Sequence, residues 1–304
     1  MTEGQTRKAI AAERRDKNMK FTKMHGIGND YVYVNCFEET VKDPVKTAIE
    51  ISPRHFAVGS DGLILIKPSK VADCCMEMYN ADGSLGAMCG NGVRCVGKYA
   101  YDHGIVDKSK TTITVETGSG IKTLKLTVKD GKAVMAEVDM GSPVLTSHHA
   151  GKTLETEDYH KLTGEEIWEK IEVAGKTWEM IGISMGNPHA IVYVKDTDSL
   201  EIEKIGPLFE NHPRFPDRTN TEFIQVVDDH TLKMRVWERG SGETLACGTG
   251  ACATLTASTL AGFVKGKADI ELLGGTLHIE LRKEDGHVMM TGPATEVFTG
   301  EWEE

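Results

Sequence analysis

The chain has no apolar run near the roughly 18 residues that a membrane-spanning helix needs, which excludes a helical membrane anchor. Its opening segment, TEGQTRKAIAAERRDKN, lacks the apolar stretch of a secretory signal. Glu13 and Asp16 are equally out of place in an organelle transit peptide. Cysteines never occur in the Cys-x-x-Cys spacing, so a thioredoxin-like redox motif is excluded. Positive charge is in deficit: 35 Lys and Arg stand against 46 Asp and Glu, a net charge of -11. That argues against a nucleic-acid backbone or an anionic membrane as partner, and leaves a small zwitterionic ligand open. What remains is globular: 304 residues, 39% hydrophobic and 27% charged, enough for two ordinary domains. Seven cysteines, an odd number, fit a reducing cytoplasm better than a disulfide framework.

What is present is a repeated pattern. Cys89-Gly90-Asn91-Gly92 and Cys247-Gly248-Thr249-Gly250 lie 158 positions apart. Each precedes a helical pattern: Val93, Val96 and Ala100 with a stop at Gly104, then the small apolar run Ala251 to Ala261 with a stop at Gly262. Strands are expected in both halves. In the first they are Tyr31 to Val34, Leu63 to Ile66 and Met76 to Tyr79, then a meander of Thr112 to Glu116, Thr123 to Val128 and Ala133 to Val138 turning at Asp130-Gly131. In the second they are Ala190 to Val194, Thr221 to Val227, Leu232 to Trp237, Ile270 to Leu273, Leu277 to Leu281 and Val288 to Thr291. The polar stretch from Asp139 to Asp158 suits a domain connection. The plan is a duplicated α+β domain with antiparallel pairing. Ordered structure is expected from about Lys20, after an extension of residues 1–19.

A thiol before Gly-x-Gly at a helix start faces the positive end of the helix and free backbone N–H groups. That setting favours thiolate and binds a carboxylate. Two such sites facing each other suit removal of an α-proton on one face of a carbon and its return on the other. A thiol pKa of about 8.5 lets one thiolate and one thiol coexist. No metal or cofactor is then needed. The spacing of Cys89/Cys95 and Cys247/Cys252 is not that of most zinc knuckles, and neither loop ends in the Gly-Lys-Ser/Thr of a P-loop. Cys36, Cys74, Cys75, Cys95 and Cys252 read as packing residues.

Six segments in order, KMHGIGNDYVYV, SDGLILI, MYNADGSLGAMCGNGVRC, SMGNPHAIV, RTNTEFIQV and WERGSGETLACGTGACAT, resemble the diaminopimelate epimerases from Lys20 to the C-terminus. Racemases of proline and hydroxyproline differ at both thiols, with His where Asn91 stands and Ser-Pro where Leu245-Ala246 stand. The resemblance implies interconversion of LL- and meso-2,6-diaminopimelate by Cys89 and Cys247, without cofactor or metal, in a cytoplasmic homodimer. It implies that Gly90, Asn91, Gly248 and Thr249 bind the reacting carboxylate. Asn29, Asn80, Asn187, Asn220 and Arg239 are expected to grip the substrate, Glu238 to bind the distal amine or tune a thiol, and His189 to tune a thiol. The implied fold is two pseudo-symmetric domains, each a mostly antiparallel sheet wrapped around a central helix, with the site in the cleft between them. The expected domains are 20–144 with the returning segment 292–304, and 145–291. Gly62 departs from the pattern, since several relatives carry Gln there. Taken singly, the turn asparagines, His189 and the Glu238-Arg239 pair are ordinary structural residues. Two other readings remain: a racemase of another amino acid such as histidine, and a non-catalytic amino-acid binder or thiol sensor.

Overall fold

The computed structural model describes residues 18–303, so nearly all of the polar N-terminal extension lies outside the described residues. The first half runs β1 (Asn18–Gly26), β2 (Asn29–Asn35), α1 (Pro44–Ile51), β3 (Gly62–Lys67), β4 (Cys74–Asn80), β5 (Leu85–Gly86) and α2 (Gly90–Asp102). It closes with β6 (Thr112–Thr117), β7 (Gly120–Lys129) and β8 (Lys132–Asp139). Three strands, β9 (Val144–Leu145), β10 (Lys152–Thr153) and β11 (Glu169–Val173), bridge to the second half. There follow β12 (Lys176–Ser184), β13 (Pro188–Tyr193), α3 (Ile202–Glu210), β14 (Asn220–Val226), β15 (Thr231–Glu238), β16 (Gly242–Glu243) and α4 (Gly248–Leu260). The half ends with β17 (Lys267–Leu272), β18 (Gly275–Leu281) and β19 (Val288–Pro293), and the chain with β20 (Thr295–Glu303).

The duplication is literal. Adding 158 to the bounds of β1 gives those of β12, and adding it to those of α2 gives those of α4. Each half pairs its strands antiparallel except at two places, β2 with β3 and β4 with β6 in the first, β13 with β14 and β15 with β17 in the second. A helix crosses over each of those parallel pairs, as parallel pairing requires. The two halves share one continuous sheet because β8 pairs antiparallel with β19. Strand β20 then returns to the first half and pairs with β1.

Each sheet curls around its cysteine helix. The strand β3 is almost wholly buried, as a strand covered on both faces must be, whereas β7 alternates and keeps one face in water. Asp130 and Gly131 both take positive φ, 51° and 72°, the backbone of a tight hairpin turn between β7 and β8. In α4 the small residues Ala251, Cys252, Ala253 and Ala257 are all buried, so strands approach it on several sides. One expected boundary moves. Asn18 and Met19 are already in β1, where Met19 is buried and opposite Trp302, so the sheet starts two residues before Lys20.

Candidate active site

Cys89 and Cys247 are the N-cap residues of α2 and α4, both with extended backbone. The N-cap position leaves the first N–H groups of a helix without partners inside it. Here a sulfur accepts one of them: Gly92 N donates to Cys89 Sγ at 3.3 Å, and Gly250 N to Cys247 Sγ at 3.4 Å. Little room is left beside either glycine. A Cβ on Gly92 would press on Ile64 Cδ1 at 2.8 Å, and one on Gly250 would collide with the Glu222 carboxylate.

Both cysteines line one cavity of about 320 Å³, shared with Asn29, Gly90, Asn91, Asn187, Glu238, Gly248 and Thr249. The two loops touch directly, because Asn91 Nδ2 donates to Ala246 O at 3.4 Å. The Cys89 thiol donates to Asn29 Oδ1 at 3.1 Å, and Asn29 Nδ2 donates to Asp61 at 2.7 Å. In the repeat, Asn187 occupies the position of Asn29 and donates to Thr249 Oγ1 at 3.3 Å. A second cavity of about 920 Å³ continues from the first through Asn29 and Glu238 and is walled by Arg54, Asp61, Asn80 and Arg239.

Asn220, expected to grip the substrate, turns its amide elsewhere, while His189, expected to tune a thiol, lies close to Cys247. Asn220 is 4% exposed, donates to Pro188 O at 3.0 Å and accepts from Arg239 N at 2.9 Å, so its amide braces the backbone that carries Arg239. His189 is buried behind the site. Its Nδ1 meets Glu222 Oε1 at 2.7 Å and its Nε2 meets Asn187 Oδ1 at 3.1 Å. Gly62 has φ +154° and a Cβ there would strike the Tyr79 carbonyl, which accounts for the departure at that position.

Sequence reasoning missed Arg54, Asp61 and Glu222. Arg54 donates to Asp30 and to Asp61 at 2.7 Å, and its place on the cavity wall depends on α1, which the sequence reading did not anticipate. Glu222 carried little signal, because its strand also holds Asn220, Thr221 and Gln225, yet a carboxylate is buried only with a partner. Ligating atoms of His189, Glu222 and Cys247 lie within 4.8 Å of one another, a donor set that zinc accepts. Here the imidazole and the carboxylate are bonded to each other instead.

The electrostatics correct one expectation. Helix N–H groups do lower both thiols, but burial outweighs them. Burial raises Cys89, against Gly92 N, Asn91 N and Arg94. Burial also raises Cys247, with Glu238 and Glu222 adding to the rise. Burial also raises Glu238, against hydrogen bonds from Thr244 and Cys247.

The duplicated sheet-and-helix fold defines a class that the chain shares with solved structures. The chain is similar to a hydroxyproline epimerase from Agrobacterium vitis crystallised with trans-4-hydroxy-L-proline, with TM-score 0.67, 16% identity, and 94% of this chain and 93% of that one covered. It is as similar, at TM-score 0.67 and 18% identity over 95% and 100%, to a PhzF-family phenazine biosynthesis protein of Bacillus anthracis. At such identities the likeness shows the fold alone. The diaminopimelate epimerase family model matches residues 21–146 and 181–297. The diaminopimelate epimerase of Acetivibrio thermocellus is 55% identical over 93% of this chain and 98% of its own length. The chain belongs to the diaminopimelate epimerase family.

Proposed function

We propose that this protein interconverts LL- and meso-2,6-diaminopimelate by a two-base mechanism, without cofactor. The observation that carries the reading is the placement of Cys89 and Cys247 as N-caps of two helices on one cavity. One cysteine, as thiolate, takes the α-proton. The backbone donors of Gly90, Asn91, Gly248 and Thr249 stabilise the charge that then develops on the carboxylate. The other cysteine, as thiol, returns a proton on the opposite face. Running the reaction backwards exchanges their roles.

The distal half of the substrate extends into the larger cavity. Arg239 holds its carboxylate, with Asn80 and Asn29 as further polar partners. Glu238, which lines both cavities, receives the distal ammonium. Asn187, Asn220 and His189 hold these groups in place. The functional unit in this reading is a cytoplasmic homodimer of chains divided into 20–144 with 292–304, and 145–291.

The test is direct. Reduced protein is incubated with LL-diaminopimelate and the isomers are separated on a chiral column. The expected result is meso isomer, abolished in Cys89→Ala and in Cys247→Ala, each of which retains the wild-type circular dichroism. Turnover of another amino acid such as histidine, with none of diaminopimelate, would overturn the substrate. Binding without turnover of any amino acid would leave a binder or thiol sensor.

A further inference from the structure

The repeat makes the two halves of the site comparable residue by residue, and their charges do not match. Position 31 holds Tyr where 189 holds His, 64 holds Ile where 222 holds Glu, and 94 holds Arg where 252 holds Cys. The equivalence is spatial too: a Cβ on Gly92 would meet Ile64, and one on the matching Gly250 would meet Glu222.

Arg94 is the odd group. It lies on α2 and is 0% exposed. Its guanidinium donates to Gly90 O at 3.3 Å, to Pro293 O at 3.3 Å and to Met290 Sδ at 3.7 Å. Its Nη2 is buried without a partner, and none of its hydrogen bonds goes to a carboxylate. A buried cation without a counter-ion is costly. Arginine stays protonated, so it cannot escape that cost by neutralising. The carbonyl it holds belongs to the residue directly after Cys89. The groups that face Cys89 are Arg94 and Cys95 on its own helix, Tyr31 and Tyr33 on β2 and Glu238 on β15. Those that face Cys247 are Glu222 on β14 and Glu238 on β15, with His189 on β13 bonded to Glu222. A cation therefore stands behind one thiol and a buried carboxylate behind the other.

We propose that Arg94 is the standing counter-charge of the Cys89 thiolate, so that in the substrate-free protein Cys89 ionises before Cys247 and is the first base of the pair. This rests on the two-thiol reading above. Arg94 is a positioning residue, since it acts through Cys89. Burial raises both thiols, but Arg94 opposes the rise at Cys89 whereas Glu238 and Glu222 add to it at Cys247, which agrees with the order.

The test uses the reduced full-length chain without substrate, so it stands apart from the identity of the substrate. Iodoacetamide alkylation of each cysteine is followed from pH 6 to 11 by peptide mass spectrometry, and a midpoint is read for each thiol. The midpoint reports ionisation, whereas access changes only the limiting rate. In the wild type, the Cys89 midpoint lies below that of Cys247. In Arg94→Met, a neutral side chain of similar length, the Cys89 midpoint rises by about one pH unit, about tenfold slower labelling below the midpoint, and Cys247 does not move. Arg94→Lys keeps the charge and stays near the wild type. Coincident or reversed midpoints in the wild type overturn the proposal, and so does an unmoved Cys89 in Arg94→Met. Should Arg94→Met fail to fold, the wild-type order and the Arg94→Lys midpoint decide alone.

Discussion

At the scale of single residues, the thiols set the pH behaviour. Both are raised by burial, and the reaction needs one of them ionised. A raised acid group loses its proton only at higher pH, so kcat/KM should climb as pH rises from 7 towards 9. A pH–rate profile checks this, and a plateau already reached at pH 6 would contradict it. Arg239 makes a separate prediction. If it pairs with the distal carboxylate, Arg239→Ala removes a charge-assisted contact of about 1.5–3 kcal/mol and raises KM roughly ten- to a hundredfold. Steady-state kinetics with LL-diaminopimelate decide it. The cysteines were legible in the sequence because Cys-Gly-x-Gly before a helix has a local meaning. Glu222 and Arg54 were not, because each acquires meaning only from a partner distant from it along the chain or in another element, His189 for the one and Asp61 for the other.

At the scale of elements, the matching glycines Gly92 and Gly250 give a paired experiment. Alanine improves helix propensity by up to about 1 kcal/mol at either place. At position 92 the new Cβ meets the flexible ends of Ile64 and Met76, which can yield. At position 250 it meets a carboxylate fixed by His189. Gly92→Ala should be near neutral in stability, while Gly250→Ala should lose about 1–3 kcal/mol by urea unfolding. Equal losses would contradict the asymmetry of the two halves. The strands and cysteine helices expected from patterning appear within a few residues of their bounds, but other elements were not anticipated. In β1, Lys23 breaks the apolar alternation, although it is buried in an ion pair with Asp30. In α3, Gly206 and Pro207 argue against a helix, yet Gly206 is small because the Trp237 ring lies against it. For α1 the signal existed, Asp43 as N-cap before Pro44.

At the scale of the whole molecule, several thiols are buried with no catalytic task. Burial pushes Cys95 to about 11 and Cys74 and Cys252 to about 12. Unfolded, each ionises near 8.5. The native state therefore keeps protons that the unfolded chain releases, and stability present below about pH 8.5 is lost as pH rises towards 12. The melting temperature should fall steadily above about pH 9, and Cys74→Ala should make the fall shallower. A melting temperature flat to pH 11 would contradict this. The duplication was legible from two cysteine loops 158 residues apart. The seam between β8 and β19 was not, because it pairs segments distant in sequence.

The central claim is that two thiols on opposite sides of one carbon share the reaction. The most direct test is an early-time conversion of LL-diaminopimelate in D2O, with substrate and product both read by mass spectrometry. The two-base account predicts deuterium at the α-carbon of the newly formed meso isomer, with the remaining LL substrate still unlabelled. Equal labelling of both at early times would mean one group handles both faces, and would contradict it.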